Sequence, residues 1–379
     1  MKTFVLYTAF DYTTGKITGG TRRFIEIVNG IVNNGNKVHL FIPSKAKINK
    51  HQNLIRHDIS NKQSRFIPNS LLNFICNYYT LKSIKKINYD SFIIVAVPYA
   101  IQCVLLRFKR IHFIIWEDFI GYKKIKLEGK FIPNFILKSI LKILTLIERF
   151  VLKRVDKIIV QCEYDKKINI NRHVKLKERI EPKFKILFNN VNPSWIVEKG
   201  EIIIDKVKPE KDFKQLIFIG NIDDKRKGLH LLIDAFQLLI KNGYKCKLKV
   251  VGSGKLLNDF ISANESFKEI EFIGYTSNPL PLLVDCDLMI VPSIADSFPN
   301  TVMESLYYEV PVIGSSAGGI PEMLEYEELL FEPNAESLYN KLKKIFDNDD
   351  FDRLKEMGLL RKKVLTFDWV KELEAILLQ

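Results

Sequence analysis

The chain has 379 residues, 47% hydrophobic and 27% charged, a balance ordinary for a soluble protein that gives no sign of disorder and leaves room for two hydrophobic cores. Its net charge of +14 is uneven: residues 1–200 carry +22 and residues 201–379 carry −8, so only the first half suits an anionic membrane surface or nucleic acid. No run of about 18 apolar residues free of charge is present, which excludes an ordinary membrane-spanning helix.

The opening MKTFVLYTAFDYTTGK passes from a short strand at residues 4–7 to polar residues, with neither an apolar leader core nor a cleavage site. A cytoplasmic chain is expected. The five cysteines, Cys76, Cys103, Cys162, Cys246 and Cys286, have no C-x-x-C spacing and are expected to be core thiols, neither disulfides nor metal ligands. After the first strand comes a loop with Gly15, Gly19 and Gly20, a helix over 22–33 closed by Asn34-Gly35, and a strand over 37–42. This is the strand, glycine loop, helix, strand unit of nucleotide-binding sheets. The glycines do not spell G-x-G-x-x-G, so bound NAD or FAD is not indicated.

Residues 71–87 are mostly apolar and end in Lys82, Lys85 and Lys86, which predicts a helix. Strands are predicted at 92–97 and 112–116, with an apolar stretch over 100–110 between them. Residues 131–154 mix apolar stretches with Lys138, Lys142, Arg149, Lys153 and Arg154. They fit a helix in a membrane interface or a buried helix leading to a strand at 157–161. A strand over 185–190 ends the first half, and the charged residues 193–213 read as a linker.

The second half opens with a strand at 215–220. The following loop holds Asp223, Asp224, Lys225, Arg226, Lys227 and Gly228 ahead of a helix over 229–240. Cationic side chains beside a helix N-terminus form a diphosphate clamp by ordinary electrostatics; a solvated charge run is the other reading. Strands at 247–252 and 271–274 and a short helix over 279–286 follow. Helices over 336–347, 351–365 and 369–378 end the chain.

Residues 288–324 carry the chemistry. A buried strand at 288–291 breaks at Pro292-Ser293 into a loop holding Asp296, and a helix from 300 or 301 to 308 follows Pro299. A second buried strand at 310–313 leads to Gly318-Gly319 and another short helix. In an open parallel sheet these loops lie at the carboxyl ends of the strands, where ligands bind. Asp296, Glu304, Gly318 and Gly319 are therefore expected to share one crevice, with helix N-termini that suit a phosphate or a hydroxyl-rich ligand.

Asp296, seven residues, Glu304, and then Gly318-Gly319-x-Pro321-Glu322 resemble the donor-site signature of retaining GT-B glycosyltransferases of family 4, in a form found among bacterial surface-polysaccharide enzymes. The resemblance implies an α/β chain of two Rossmann-like parallel-sheet domains facing each other across a cleft. The acceptor-binding domain would be 1–195 plus a C-terminal helix 366–379; the nucleotide-sugar-binding domain would be 196–365. It implies retaining transfer of a sugar from a UDP- or GDP-linked donor to a hydroxyl, with no metal and no other cofactor. Asp296, Arg226 and Lys227 would be catalytic, and Glu304 would hold the ribose. Gly19 and Gly20 would let the backbone approach the donor's phosphates, and Gly274, Tyr275 and Thr276 would brush the base. Ser297, Phe298, Pro299, Asn300 and Thr301, with Gly318 and Gly319, would complete the donor site.

Two positions depart from the family. Asn221 stands where an arginine is usual, and Glu117-Asp118 follow Trp116 where a His-Asp pair faces the sugar, making Glu117 and Asp118 the acceptor-side candidates. The family's pattern at Glu148-Arg149 and Asp156-Lys157 supports a buried helix before residue 157. The basic, amphipathic first half fits a lipid-linked glycan acceptor, with the chain peripheral at the inner face of the cell membrane, ahead of a soluble acceptor. Nucleic acid is not expected, because no reader motif interleaves aromatic with basic residues. A nucleotide-sugar epimerase of the same architecture and a non-catalytic glycosyltransferase-like subunit are the alternatives.

Overall fold

Short β-branched runs buried on both faces, alternating with helices, build parallel sheets, because each connecting helix must return the chain to the start of the next strand. The computed structural model describes residues 1–8, 19–64, 69–95, 97–116, 118–128, 133–191, 212–223 and 225–379. The chain divides into one unit of Met1–Phe188 with Asp368–Gln379 and a second of Asn189–Phe367.

The first unit runs β1 (Thr3–Tyr7), α1 (Gly19–Asn33), β2 (Lys37–Pro43), β3 (Leu54–Ile59), α2 (Asn69–Ser83), β4 (Ser91–Val95), α3 (Val97–Leu105) and β5 (Ile111–Ile115). It continues through α4 (Phe119–Glu128), α5 (Asn134–Leu152), β6 (Lys157–Val160), α6 (Glu163–Arg172), α7 (Lys177–Ile180) and β7 (Phe184–Ile186). Its seven-stranded sheet has the order β3-β2-β1-β4-β5-β6-β7, and every pairing is parallel. One face of this sheet is covered by α2, α3, α5 and α6, through a cluster that includes Phe92, Phe113, Leu81, Cys103, Val151 and Ile170.

The second unit runs β8 (Lys214–Ile219), α8 (Leu229–Lys241), β9 (Cys246–Val251), α9 (Leu257–Ala263), β10 (Ile270–Gly274), α10 (Leu280–Val284) and β11 (Leu288–Val291). Then come α11 (Asn300–Tyr307), β12 (Val312–Ser315), α12 (Ile320–Leu324), β13 (Leu330–Phe331), α13 (Ala335–Asn348) and α14 (Phe351–Leu365). Its sheet is β10-β9-β8-β11-β12-β13, again parallel throughout.

The last helix, α15 (Trp369–Leu378), packs on the first unit beside α1. Trp369 Nε1 donates to the Phe188 carbonyl at 2.9 Å, and the Arg23 guanidinium lies 4.4 Å from the Trp369 ring centre. Lys157 Nζ donates to the Ile376 carbonyl at 2.5 Å, which places a cation at the negative end of the helix. A Cβ on Gly30 would strike Val370, so glycine sets how closely α1 and α15 approach.

The strand expected at 185–190 is only Phe184–Ile186, and the one expected at 310–313 begins at Val312. The strand β3 carries no sequence signal of its own, because LIRHDI is half polar and lies at the sheet edge, exposed on one side. Most of the expected linker, residues 193–211, lies outside the described residues. Cys76 is not a core thiol: it is exposed, while Cys103, Cys162, Cys246 and Cys286 are buried. It sits on the outer face of α2, whose inward stripe is Asn73, Asn77 and Leu81.

Candidate active site

The strands β8 and β11 are neighbours at the point where the order of the second sheet reverses, β8 turning to β9 on one side and β11 to β12 on the other. Loops leaving the carboxyl ends of such a pair diverge and open a ligand crevice. Here both loops are drawn together just beyond the strands. Gly228 adopts φ +70°, and a Cβ there would collide with the Pro292 carbonyl, so only glycine permits the contact. Ile294 N donates to the Arg226 carbonyl at 2.7 Å. Lys227 Nζ then reaches Asp296 Oδ2 at 2.5 Å.

A third segment closes on the same loop from β12. Gly318 adopts φ +66° with its α-carbon against the Asp296 backbone, where a Cβ would collide, and Gly319 N donates to the Asp296 carbonyl at 2.9 Å. The buried Ser315 hydroxyl donates to the Ser293 carbonyl. Asp296 is thus held by its backbone on one side and by the Lys227 ammonium on the other.

Beyond Asp296 the chain turns into α11 at Pro299, which ends the extended loop and precedes the helix. Phe298 and Pro299 are buried and Ser297, Asn300 and Thr301 half-buried; Asn189 Nδ2 donates to Asn300 Oδ1 at 2.9 Å. Val302, Met303, Ser305 and Leu306 face the core, leaving Glu304 half-buried on the remaining face. Its charge adds to burial and to Tyr307 in raising the Tyr308 phenol above its usual pKa. Asp296 therefore sits in the loop and Glu304 in the helix, as Pro299 implies.

The β8 loop also leans on the loop after β9. Asn221 Oδ1 accepts from Asp223 N at 2.9 Å, so this residue closes a turn. Asp223 Oδ1 accepts from Leu256 N at 2.9 Å, and backbone donors at Leu256 and Lys255 hold its carboxyl below the usual range. Gly252 N donates to the Gly274 carbonyl at 2.9 Å. Gly274 ends β10 at φ +78°, and Tyr275 beyond it is 69% exposed. Thr276 Oγ1 accepts from Asn278 N at 3.2 Å. Asp224 lies outside the described residues.

In the first unit, Gly19 and Gly20 open α1, and a Cβ on Gly20 would meet the Trp116 ring, just past the end of β5. Glu117 and Gly15 lie outside the described residues. Asp118 is engaged: its Oδ1 accepts from Arg172 Nη2 at 2.5 Å. Arg172 Nη1 donates to the buried Glu148 at 3.0 Å, and His173 Nε2 lies 2.8 Å from Glu148 Oε2. Burial opposes the charge on Arg172, but Glu148 and Asp118 outweigh it and raise the guanidinium pKa. This network ties the start of α4 to α5 and α6. Arg172 carries no sequence signal, because its partners are 54 and 24 positions away. Among the described residues no cluster of His, Cys, Asp or Glu could hold a metal ion.

Residues 200–359 match the family described as glycosyl transferases group 1. The capsular polysaccharide biosynthesis glycosyltransferase CapM of Staphylococcus aureus is 27% identical over 184 residues, 45% of this chain and 48% of that protein. The match thus spans about half the length of this curated relative. Among solved structures, sucrose-phosphate synthase from Thermosynechococcus elongatus superposes with a TM-score of 0.71 at 16% identity, covering 100% of this chain and 97% of the other. The Anabaena protein HepE, solved in complex with UDP and glucose, superposes with a TM-score of 0.65 at 15% identity, covering 99% of this chain and 98% of the other. The chain therefore has the GT-B fold of two Rossmann-like parallel-sheet units, and its residues 200–359 are similar to the glycosyl transferases group 1 family.

Proposed function

We propose that the protein is a retaining, metal-independent glycosyltransferase of family 4 that moves a sugar from a UDP- or GDP-linked donor to a hydroxyl of a growing lipid-linked glycan in cell-surface polysaccharide assembly. The observation that carries this reading is the convergence of Arg226, Lys227, Asp296 and Gly318-Gly319 on one loop at the β8–β11 switch point. The capsule enzyme of similar sequence supports the polysaccharide setting, and the UDP- and glucose-bound relative of the same fold supports the donor class.

In this reading Lys227 and Arg226, with the N-terminus of α8, take up the charge that develops on the departing diphosphate. Removing one fixed donor of this kind costs on the order of 10² to 10³ in rate. Asp296 holds sugar hydroxyls and steadies positive charge at the anomeric carbon; Glu304 accepts from the ribose hydroxyls. Gly274, Tyr275 and Thr276 border the base. The acceptor is taken up at the anionic inner face of the cell membrane. The experiment is transfer of radiolabelled sugar from a panel of nucleotide sugars to a membrane extract, with and without chelator. The product anomer is assigned by NMR. Labelled product of retained configuration that survives the chelator is the expected result; no labelled product from any donor overturns the reading.

A further inference from the structure

Helix α2 shares its inner face between apolar and polar side chains: Phe74 and Leu81 pack on the core, beside two buried asparagines. A helix that merely covers a sheet turns its apolar stripe inward, but the buried stripe of α2 is Asn73 and Asn77, each 2% exposed, ahead of Leu81. These asparagines, four residues apart and so on one face, hold the extended segment 60–64. Ser60 N donates to Asn77 Oδ1 at 2.7 Å and Asn77 Nδ2 returns a bond to the Ser60 carbonyl at 2.8 Å. Lys62 N donates to Asn73 Oδ1 at 2.7 Å and Asn73 Nδ2 donates to the Lys62 carbonyl at 3.1 Å. With Asn73 and Asn77 on the inner face, three other large apolar side chains point out: Leu71 is 50%, Ile75 62% and Tyr79 84% exposed.

A second set of outward apolar side chains lies on another helix of the same layer. Helix α3 lies against both α2 and α5, and α5 exposes Phe135 at 70%, Ile143 at 57% and Leu146 at 52%. The exposed charges on these three helices have one sign. Helices α2 and α3 contain no acidic residue, and the single acid of α5, Glu148, is buried on Arg172 and His173. Lys82, Lys85, Lys86, Lys138 and Lys142 are exposed on or beside the same helices. Exposed apolar and aromatic side chains on helices whose exposed charges are lysines are the chemistry of a surface that lies in the headgroup region of an anionic bilayer.

We propose that the outer face of α2, α3 and α5 is the membrane-docking surface of the protein, with α2 inserting Leu71, Ile75 and Tyr79 among anionic lipids. This rests on the reading that the acceptor is membrane-borne and names the surface that meets the membrane. The test is flotation of the full chain with vesicles of phosphatidylcholine alone and of equal phosphatidylcholine and phosphatidylglycerol. The wild type should float with the anionic vesicles at low salt and be released at high salt. Ile75→Glu combined with Tyr79→Glu should lower partitioning about tenfold or more. Leu360→Glu combined with Val364→Glu, at exposed positions of α14, adds the same charge elsewhere and should change nothing. A wild type that fails to float removes the membrane reading itself. A floating wild type with an unaffected α2 variant removes only this surface, and equal loss in the α14 control does the same. Should the α2 pair misfold by circular dichroism, Tyr79→Trp keeps the test: its added fluorescence should be quenched by brominated lipid. No quenching, or a wild-type dimer that the α2 pair dissociates, overturns the proposal.

Discussion

Lys227 and Asp296 meet as an ion pair 69 positions apart in the chain, Nζ to Oδ2 at 2.5 Å, at the carboxyl ends of two neighbouring strands. Both side chains keep some exposure, 31% and 17%, and an ion pair of this kind contributes about 1 kcal/mol or less to stability. Its value is in placing a cation for phosphate next to an anion for the sugar. Lys227→Ala is expected to weaken UDP or GDP binding several-fold with little change in melting temperature. Calorimetric titration checks this, and unchanged affinity removes the clamp.

Asp296→Asn is expected to act on a different step. Its charge matters most as the anomeric centre becomes cationic, so kcat should fall while nucleoside diphosphate binding holds or tightens, because Lys227 loses its competing partner. Full transferase activity in this variant would sink the mechanistic assignment.

Glu304, half-buried on α11, should answer to ground-state binding. Glu304→Gln is expected to raise the donor KM with a smaller change in kcat, measured under initial-rate conditions. An unchanged KM would remove Glu304 from the ribose.

Gly318→Ala separates backbone strain from loss of the site. At φ +66° the alanine is strained, and its Cβ also collides with the Asp296 backbone. Gly243 has φ +83° with nothing near its missing Cβ, so Gly243→Ala incurs only the left-handed cost of about 1–2 kcal/mol. Activity per folded molecule should fall more than about tenfold in the first variant, since misplacing a reacting group by about 1 Å already costs on the order of 10². It should hold in the second.

Removing residues 369–379 is expected to unfold the first unit rather than trim a tail. Trp369, Val370, Leu373 and Leu377 are buried, together about 6–12 kcal/mol of apolar burial against a typical domain stability of about 5–15 kcal/mol. Limited proteolysis should digest the truncated first unit at temperatures where the full chain resists.

Acid should destabilise the first unit through His112. Burial, with Lys157 beside it, lowers its pKa from 6.5 to about 4. The unfolded chain therefore binds a proton near pH 6.5 that the folded chain refuses until about pH 4. Stability is fully present above pH 6.5 and lost as the pH falls towards 4, by up to about 3 kcal/mol. His39, lowered to about 4 by burial and then by His57 and Lys37, acts with the same sign. His112→Phe should flatten the dependence of melting temperature on pH in this window.

The alternating pattern of the sequence was enough to place most of the strands and helices, because runs such as Leu288–Val291 and Lys214–Ile219 are buried on both faces and so cannot hide a polar alternation. Local chemistry also marked part of the candidate site: Pro299 was expected to break the span between Asp296 and Glu304, and it precedes the helix that carries Glu304. What spacing could not supply was neighbourhood. That Lys227 lands on Asp296 follows from β8 and β11 being adjacent, and strand order is set by the packing of the whole sheet. Asp118 was visible only as an acid beyond a strand; its engagement by Arg172, brought in from α6, is a tertiary fact. The orientation of α2 lay furthest from the sequence. The sequence placed Cys76 in the core, whereas it is exposed and Asn73 and Asn77 take the buried stripe, where they bond the backbone of residues 60–62. A backbone hydrogen bond to a side chain depends on which segment the fold brings beside that side chain, and this neighbourhood exists only once the chain has folded.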